Sequence, residues 1–223
     1  MIRVDHPSRE AAARALAERV AADLAGAIAA RGRASLAVPG GTTPAAFLAE
    51  LGSRDLPWER VAVTLTDERR VPEDSERSNA RLVSGTLLAG AAGRATFVPL
   101  RSDGDRDGGL AGLSARLRRT VLPLDVLVLG MGADGHVASL FPGADGLGRA
   151  LSPDAPPVLA LDAPGADEPR LTLTAPVLLA ARRAYLLIAG AGKAATLEAA
   201  LEPGPAERMP VRLVLPHPAL EVH

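Results

Sequence analysis

An aspartate and a histidine two residues apart, in a run broken by three glycines, are the groups in this sequence best suited to proton transfer. The run is Gly130-Met131-Gly132-Ala133-Asp134-Gly135-His136. An imidazole changes charge near neutral pH, and a neighbouring carboxylate can orient it, so Asp134 and His136 suit a general base with its partner. Glycine lets the backbone turn sharply and pass close to a ligand. A second reading of the same residues is a surface loop whose Asp134 caps a helix beginning near Val137. Residue types and spacing leave both readings open.

A second group of residues could hold an anion. Pro39 to Pro44 reads PGGTTP, with Gly40, Gly41, Thr42 and Thr43 at its centre. Thr43 can cap the helix that follows, and Pro44 suits its first position. Such a turn presents free N–H groups and the positive helix end to an anion, although many strand-to-helix turns look alike. No lysine follows, so this is not a Walker loop. Lys193 is the sole lysine among 25 cationic side chains, the others being arginine. It stands beside glycines at a helix start, where a compact ammonium can reach a phosphate that a guanidinium fork would not fit; the alternative is chance retention of one lysine. Asp67-Glu68-Arg69-Arg70 forms a charged cluster at a strand end, readable as solvated surface. Asn79 is the sole asparagine of a chain without glutamine, and it has either a specific hydrogen-bonding role or a place in the cap at Ser78.

Alternating helical and strand-like segments position these groups. Val126 to Leu129 is an unbroken apolar run, as expected of a strand buried on both faces of a parallel sheet. Ala34–Val38, Val61–Thr66, Ala95–Val98, Val158–Leu161, a segment opening at Arg170, and Ala184–Ala189 read as further strands. Ser8–Arg31 reads as a helix with Leu16, Val20, Leu24 and Ile28 along one side, capped by Ser8 and ended by Gly32. Further helices are expected after Pro44, from about Leu110 to Val121, after Thr174, and from Gly190 to near Leu201. The order predicts an α/β fold: a Rossmann-like, mostly parallel sheet with helices on both faces, in one domain over residues 1–223. Ligands of such folds bind at the carboxyl ends of strands, where the Asp134–His136 loop falls.

Composition narrows the function classes. With 223 residues, 48% of them hydrophobic, the chain can bury a full core. A net charge of −1 offers no electrostatic case for nucleic acid or an anionic membrane. The absence of cysteine excludes disulfides, thiolate metal sites and a cysteine nucleophile. No secretory signal or membrane-spanning run is present, so a cytoplasmic location is expected. The polar stretch Arg101–Gly109 lacks the closing glutamate and flanking helices of an EF-hand and reads as a loop. Ser139 lacks the Gly-x-Ser-x-Gly pattern of a nucleophile elbow. His6, His217 and His223 match no catalytic pattern, and His6 reads as a surface residue. No paired metal-ligand spacing occurs, so neither metal nor cofactor is expected.

The string GMGADGHVASLFPG resembles the signature of the 6-phosphogluconolactonases. The related glucosamine-6-phosphate deaminases share the Gly–Asp–Gly–His core but follow it with Phe-Asn-Glu-Pro, where this chain has Ser139, Leu140, Phe141 and Pro142. The deaminase carboxylate is thus absent, which favours the lactonase. Gly-Gly-Thr-Thr-Pro, Asp-Glu-Arg, the Ser78-Asn79 pair, the strand-opening Arg170 and Gly-x-x-Lys-Ala at Lys193 also resemble the family, over positions 39 to 194. The resemblance implies the glucosamine-6-phosphate deaminase/ribose-5-phosphate isomerase fold and hydrolysis of 6-phospho-D-glucono-1,5-lactone in the pentose phosphate pathway. It implies His136 as the base that activates water, with Asp134 positioning it. Gly40, Gly41, Thr42, Thr43, Arg170 and Lys193 would hold phosphate, with Asn79 also in the binding set. Asp67 would contact sugar hydroxyls or orient water, and Arg69 would stabilise negative charge. The expected partner is a small sugar-phosphate lactone bound by a monomer or weak homodimer. Two other readings stand: a deaminase-like enzyme, and a sugar-phosphate sensor without catalysis. The chain opens almost directly on its first helix, which leaves no room for a helix-turn-helix module and weighs against the sensor.

Overall fold

A computed structural model describes residues 1–72, 74–101, 109–162, 164 and 168–223. The expected loop at Arg101–Gly109 falls almost wholly outside the described residues. The strands are β1 (Ile2–Arg3), β2 (Ala34–Val38), β3 (Val61–Leu65), β4 (Asp67–Arg69), β5 (Thr96–Val98), β6 (Val126–Gly130), β7 (Val158–Leu161), β8 (Arg170–Leu173), β9 (Arg183–Leu187) and β10 (Leu220–Val222). The helices are α1 (Arg9–Arg31), α2 (Thr42–Gly52), α3 (Asn79–Gly85), α4 (Gly109–Thr120), α5 (Leu147–Leu151), α6 (Ala175–Leu179) and α7 (Ala191–Leu201).

Seven strands form one parallel sheet in the order β1-β10-β9-β6-β2-β3-β5. From β2 the chain winds outward through β3 and β5. It then returns to the other side of β2 with β6 and winds the opposite way through β9 and β10. The junction of β2 and β6 is therefore a topological switch point, where the following loops diverge and leave a crevice. All five residues of β2 and the first four of β6 are buried, which explains their unbroken apolar runs.

Helix α1 covers part of this sheet. Leu16, Val20 and Leu24 are wholly buried, each contributing about 1.5–3 kcal/mol by leaving water. Ser8 accepts a bond from the Ala11 N–H, and Gly32 closes the helix at φ 77°, as expected from the sequence. Within the described residues, no helix is long and apolar enough to cross a membrane.

Several elements differ from the sequence expectation. Asp67–Arg69 is β4 of a second, antiparallel sheet, β4-β8-β7, and not a solvated strand end. Three residues are too few to show an alternating pattern, so periodicity could not reveal it. The short β10 adds a strand beyond the expected last one, beside β9. No helix begins at Val137; that residue bridges Met131 and Leu140 in a tight turn. Helix α2 starts at Thr42 with Gly41 as its uncapped N-terminus, so Thr43 is no cap and Pro44 lies further inside. Thr174 precedes α6 but makes no cap bond; its hydroxyl donates to the Pro156 carbonyl. His6 is half-buried, sharing a 3.0 Å hydrogen bond with His223, and is not a free surface residue.

Candidate active site

The switch-point crevice opens into a cleft of about 390 Å³. Gly40, Gly41, Thr42, Thr43, Asp67, Arg69, Asn79, His136, Arg170 and Lys193 all line it. Ten of the eleven residues singled out in the sequence thus meet at one place. The eleventh, Asp134, stands against the imidazole of His136.

The His136 loop is built to hold that pair. Asp134 Oδ1 accepts from the His136 backbone N–H at 3.1 Å and lies 2.6 Å from Nδ1. If Nδ1 carries the proton, Nε2 keeps its lone pair and can take a proton from water. Asp134 therefore orients the imidazole rather than capping a helix. A Cβ at Gly132 would collide with both the His136 ring and the Asp134 carboxylate, so glycine is required there. Gly135 turns at φ 80°, Val211 N–H bonds its carbonyl, and Thr196 Oγ1 donates to the carbonyl of Ala133. Ala138 holds φ 50°, a region that residues with a side chain seldom enter. The imidazole packs on Phe141 with ring centroids 4.1 Å apart, which limits its rotation.

Asp67 and Asn79 form a polar wall. Ser139 Oγ donates to Asp67 Oδ2 at 2.6 Å, and Thr66 Oγ1 donates to Oδ1 at 3.1 Å. Asn79 Nδ2 donates to the Asp67 carbonyl, and its amide lies so close to Gly40 that any side chain at 40 would collide with it. The glycine at 40 thus serves the packing of Asn79 as well as access to the loop. Glu68, buried between them, organises this wall. Its carboxylate accepts from the backbone N–H groups of Arg69, Asn79 and Ala80 at 2.7, 2.8 and 2.7 Å. It was not singled out in the sequence; its place inside the Asp67–Arg69 segment, flanked by the exposed-reading charges, was the available signal.

The cations are set against each other. Arg69 and Arg170 are direct partners across β4 and β8, a like-charge pairing that destabilises a sheet unless something else requires it. Both Nε atoms are buried without a hydrogen-bond partner. Arg170 is only 8% exposed, lies over Phe141, and has Glu168 as a distant counter-charge at 3.9 Å. Burial first, and Arg69 second, pull its pKa below the ordinary arginine value, against Asp67 and Glu168. Arg170 opens a strand of the antiparallel sheet, so it does not reach the cleft from a carboxyl strand end as Lys193 and the Gly40–Thr43 loop do. Lys193 is half-buried, and burial followed by repulsion from Arg9 lowers its pKa.

Helices α2 and α7 both start at glycines with strongly positive φ, 99° at Gly41 and 94° at Gly190, and neither has a side-chain cap. Their first N–H groups are left for another acceptor, as at anion sites. Among the described residues no three His, Asp or Glu side chains cluster as metal ligands do.

A histidine–carboxylate pair shares one cleft with buried Arg170, half-buried Arg69 and Lys193, and two open helix ends, at the switch point of a parallel sheet; these are the features of a small-molecule enzyme site. The chain belongs to the glucosamine-6-phosphate isomerase/6-phosphogluconolactonase family, whose model matches residues 7–222. It is 49% identical over 213 residues to a 6-phosphogluconolactonase of Rhizobium meliloti (strain 1021), covering 95% of this chain and 91% of that protein. A crystal structure of a 6-phosphogluconolactonase from Shewanella baltica superposes with a TM-score of 0.94 at 35% identity, covering 100% of this chain and 95% of that one. A monomeric glucosamine-6-phosphate deaminase, 19% identical, shares the fold with a TM-score of 0.78 over 100% of this chain and 96% of its own.

Proposed function

We propose that the cleft hydrolyses 6-phospho-D-glucono-1,5-lactone to 6-phospho-D-gluconate, the lactone-opening step of the oxidative pentose phosphate pathway. The observation that carries this reading is the His136–Asp134 pair held across one cleft from Arg69, Arg170 and Lys193. The names of the similar proteins point to the same substrate. The segment Val137 to Pro142 carries no acidic side chain, which favours the lactonase over the deaminase chemistry.

In this mechanism the phosphate lies on the N–H groups of the Gly40–Thr43 loop, with Lys193 and Arg170 neutralising it. That anchoring places the lactone carbonyl, C1, beside His136. His136 Nε2 takes a proton from water as the water oxygen attacks C1. The carbonyl oxygen becomes an oxyanion, which Arg69 stabilises. Collapse re-forms the carbonyl and breaks the bond from C1 to the ring oxygen, which receives the proton from the imidazolium. One water is consumed, and the base ends as it began. Asp134 holds Nδ1–H and stabilises the imidazolium between the two transfers. Asp67, fixed by Ser139 and Thr66, meets the sugar hydroxyls.

The test is NMR-monitored opening of freshly made lactone with and without the protein, since the lactone also opens unaided. Acceleration over that background, lost in His136→Ala, is the expected result. Acceleration that survives the substitution overturns the role of His136, and no acceleration overturns the activity.

A further inference from the structure

A second cleft, of about 480 Å³, lies at the opposite edge of the same sheet, among the amino ends of β2, β3, β5, β6 and β9. Five arginines line it: Arg31, Arg33, Arg60, Arg119 and Arg182. Only two carboxylates, Glu59 and Asp125, accompany them. The local excess of three positive charges sits in a chain whose formal net charge is −1. A concave wall with an excess of one sign focuses its field on the cleft and draws in counter-ions.

The cations are arranged in two tiers. Asp125 is buried, and its Oδ2 accepts from the Ser35 backbone N–H at 2.9 Å. Its Oδ1 meets Arg31 Nη2 at 2.5 Å and Arg182 Nε at 3.4 Å. One fixed carboxylate therefore ties down two guanidinium groups from separate elements, the end of α1 and the start of β9. Each guanidinium retains further N–H donors in a rigid fork. Arg33, Arg60 and Arg119 are exposed, and their side chains have no hydrogen-bond or ion-pair partner among the described residues. They come from the turn after α1, the short helical turn before β3 and the end of α4, and with only Glu59 and Asp125 beside five guanidinium groups an anion would relieve their mutual repulsion.

We infer that this amino-edge cleft is a binding site for a di- or triphosphate anion, independent of the catalytic cleft. The volume is that of a small-molecule site, and planar forks match phosphate oxygens in pairs. A nucleoside triphosphate and an inorganic polyphosphate share this chemistry.

Calorimetric titration of the full chain with inorganic tripolyphosphate, and separately with ATP without added metal, tests the site at low ionic strength. Saturable one-to-one binding is expected in the Arg170→Ala/Lys193→Ala background, where the catalytic cleft has lost its cations, and is weakened at least tenfold when Arg33→Ala/Arg60→Ala/Arg119→Ala are added. Arg31 and Arg182 are left in place, because removing them would strand the buried charge of Asp125. The corresponding triple lysine variant keeps charge without forks, and an intermediate affinity is expected. The Arg170→Ala/Lys193→Ala variant is expected to bind as tightly as the parent, which separates the two clefts. Trp58, the chain's one tryptophan, begins the short helical turn that ends at Arg60, so its emission is expected to shift on binding. Equal affinity for the two probes supports a site for the phosphate chain alone; tighter ATP binding supports one that also holds the nucleoside. Absence of saturable binding, or binding lost in Arg170→Ala/Lys193→Ala yet intact in the alanine triple, overturns the site.

Discussion

The two edges of the parallel sheet both gather cations, but they hold them differently. At the carboxyl edge Arg170 is buried, Arg69 faces it across two strands, and each has a buried Nε without a partner. At the amino edge Arg33, Arg60 and Arg119 stand in solvent, over a pair already tied to Asp125. Arg170 has Glu168 at 3.9 Å as its counter-charge, and since a desolvated charge is costly until it is fully paired, the anion proposed above would complete this site. Exposed cations carry no such cost and can wait in water. The same contrast appears among helix starts. Ser8 and Ser78 cap α1 and α3, whereas glycine leaves α2 and α7 open toward the cleft side. Of the two clefts, only the one at the carboxyl edge is lined by a histidine, His136.

The largest expected effect breaks that asymmetry outright. His136→Ala removes the only proton acceptor of the mechanism and is expected to lower kcat for the lactone by about a thousandfold, within the usual range for general-base loss. NMR of lactone opening measures it, with circular dichroism checking that the fold is retained. A smaller but more pointed loss is expected of Gly132→Ala. Its methyl group would displace the imidazole or Asp134, so kcat should fall roughly a hundredfold with KM little changed, as positioning losses do. An unchanged kcat would mean that the His136–Asp134 geometry is not the working one.

Lys193 sharpens the comparison through pH. Its pKa is lowered from the ordinary 10.5 by burial, so its charge is lost at a lower pH than that of a free lysine. Phosphate binding favours the cationic form, so KM is expected to rise as pH climbs through that lowered pKa, before 10.5 is reached. In Lys193→Arg the rise should disappear, since a guanidinium stays charged, while KM at neutral pH is several-fold higher because the fork replaces a compact ammonium. A KM–pH profile for both proteins decides this. The smallest expected effect belongs to the amino edge: Arg33→Ala/Arg60→Ala/Arg119→Ala should leave kcat/KM for the lactone within about twofold of the parent when no polyphosphate is added.

Much of this was legible before any tertiary structure. The apolar runs at Ala34–Val38 and Val126–Leu129 announced buried parallel strands because both of their faces are covered. The singular residues, Lys193 and Asn79, pointed to the cleft because a composition that otherwise avoids a residue type makes its retention informative. What stayed hidden had physical causes. Asp67–Arg69 looked like solvated charge because its burial comes from β8, which lies about a hundred residues away in the chain. Glu68 was concealed by the same segment, and its role depends on N–H groups at the start of α3. Asp134 was ambiguous because an aspartate two residues before a histidine can cap or orient, and only the turn at Gly132–Gly135 excludes the helix it would have capped.

Local sequence alone determined the alternation of strands and helices and the residue types available for acid–base chemistry and anion binding. These follow from side-chain periodicity and backbone freedom within a few neighbours. Tertiary structure decided the rest. The return of the chain from β5 to β6 created the crevice, the antiparallel sheet set Arg69 against Arg170, and the shared edge of five strands assembled the second arginine cleft. Those are contacts between distant segments, and no local pattern encodes which distant segments will meet.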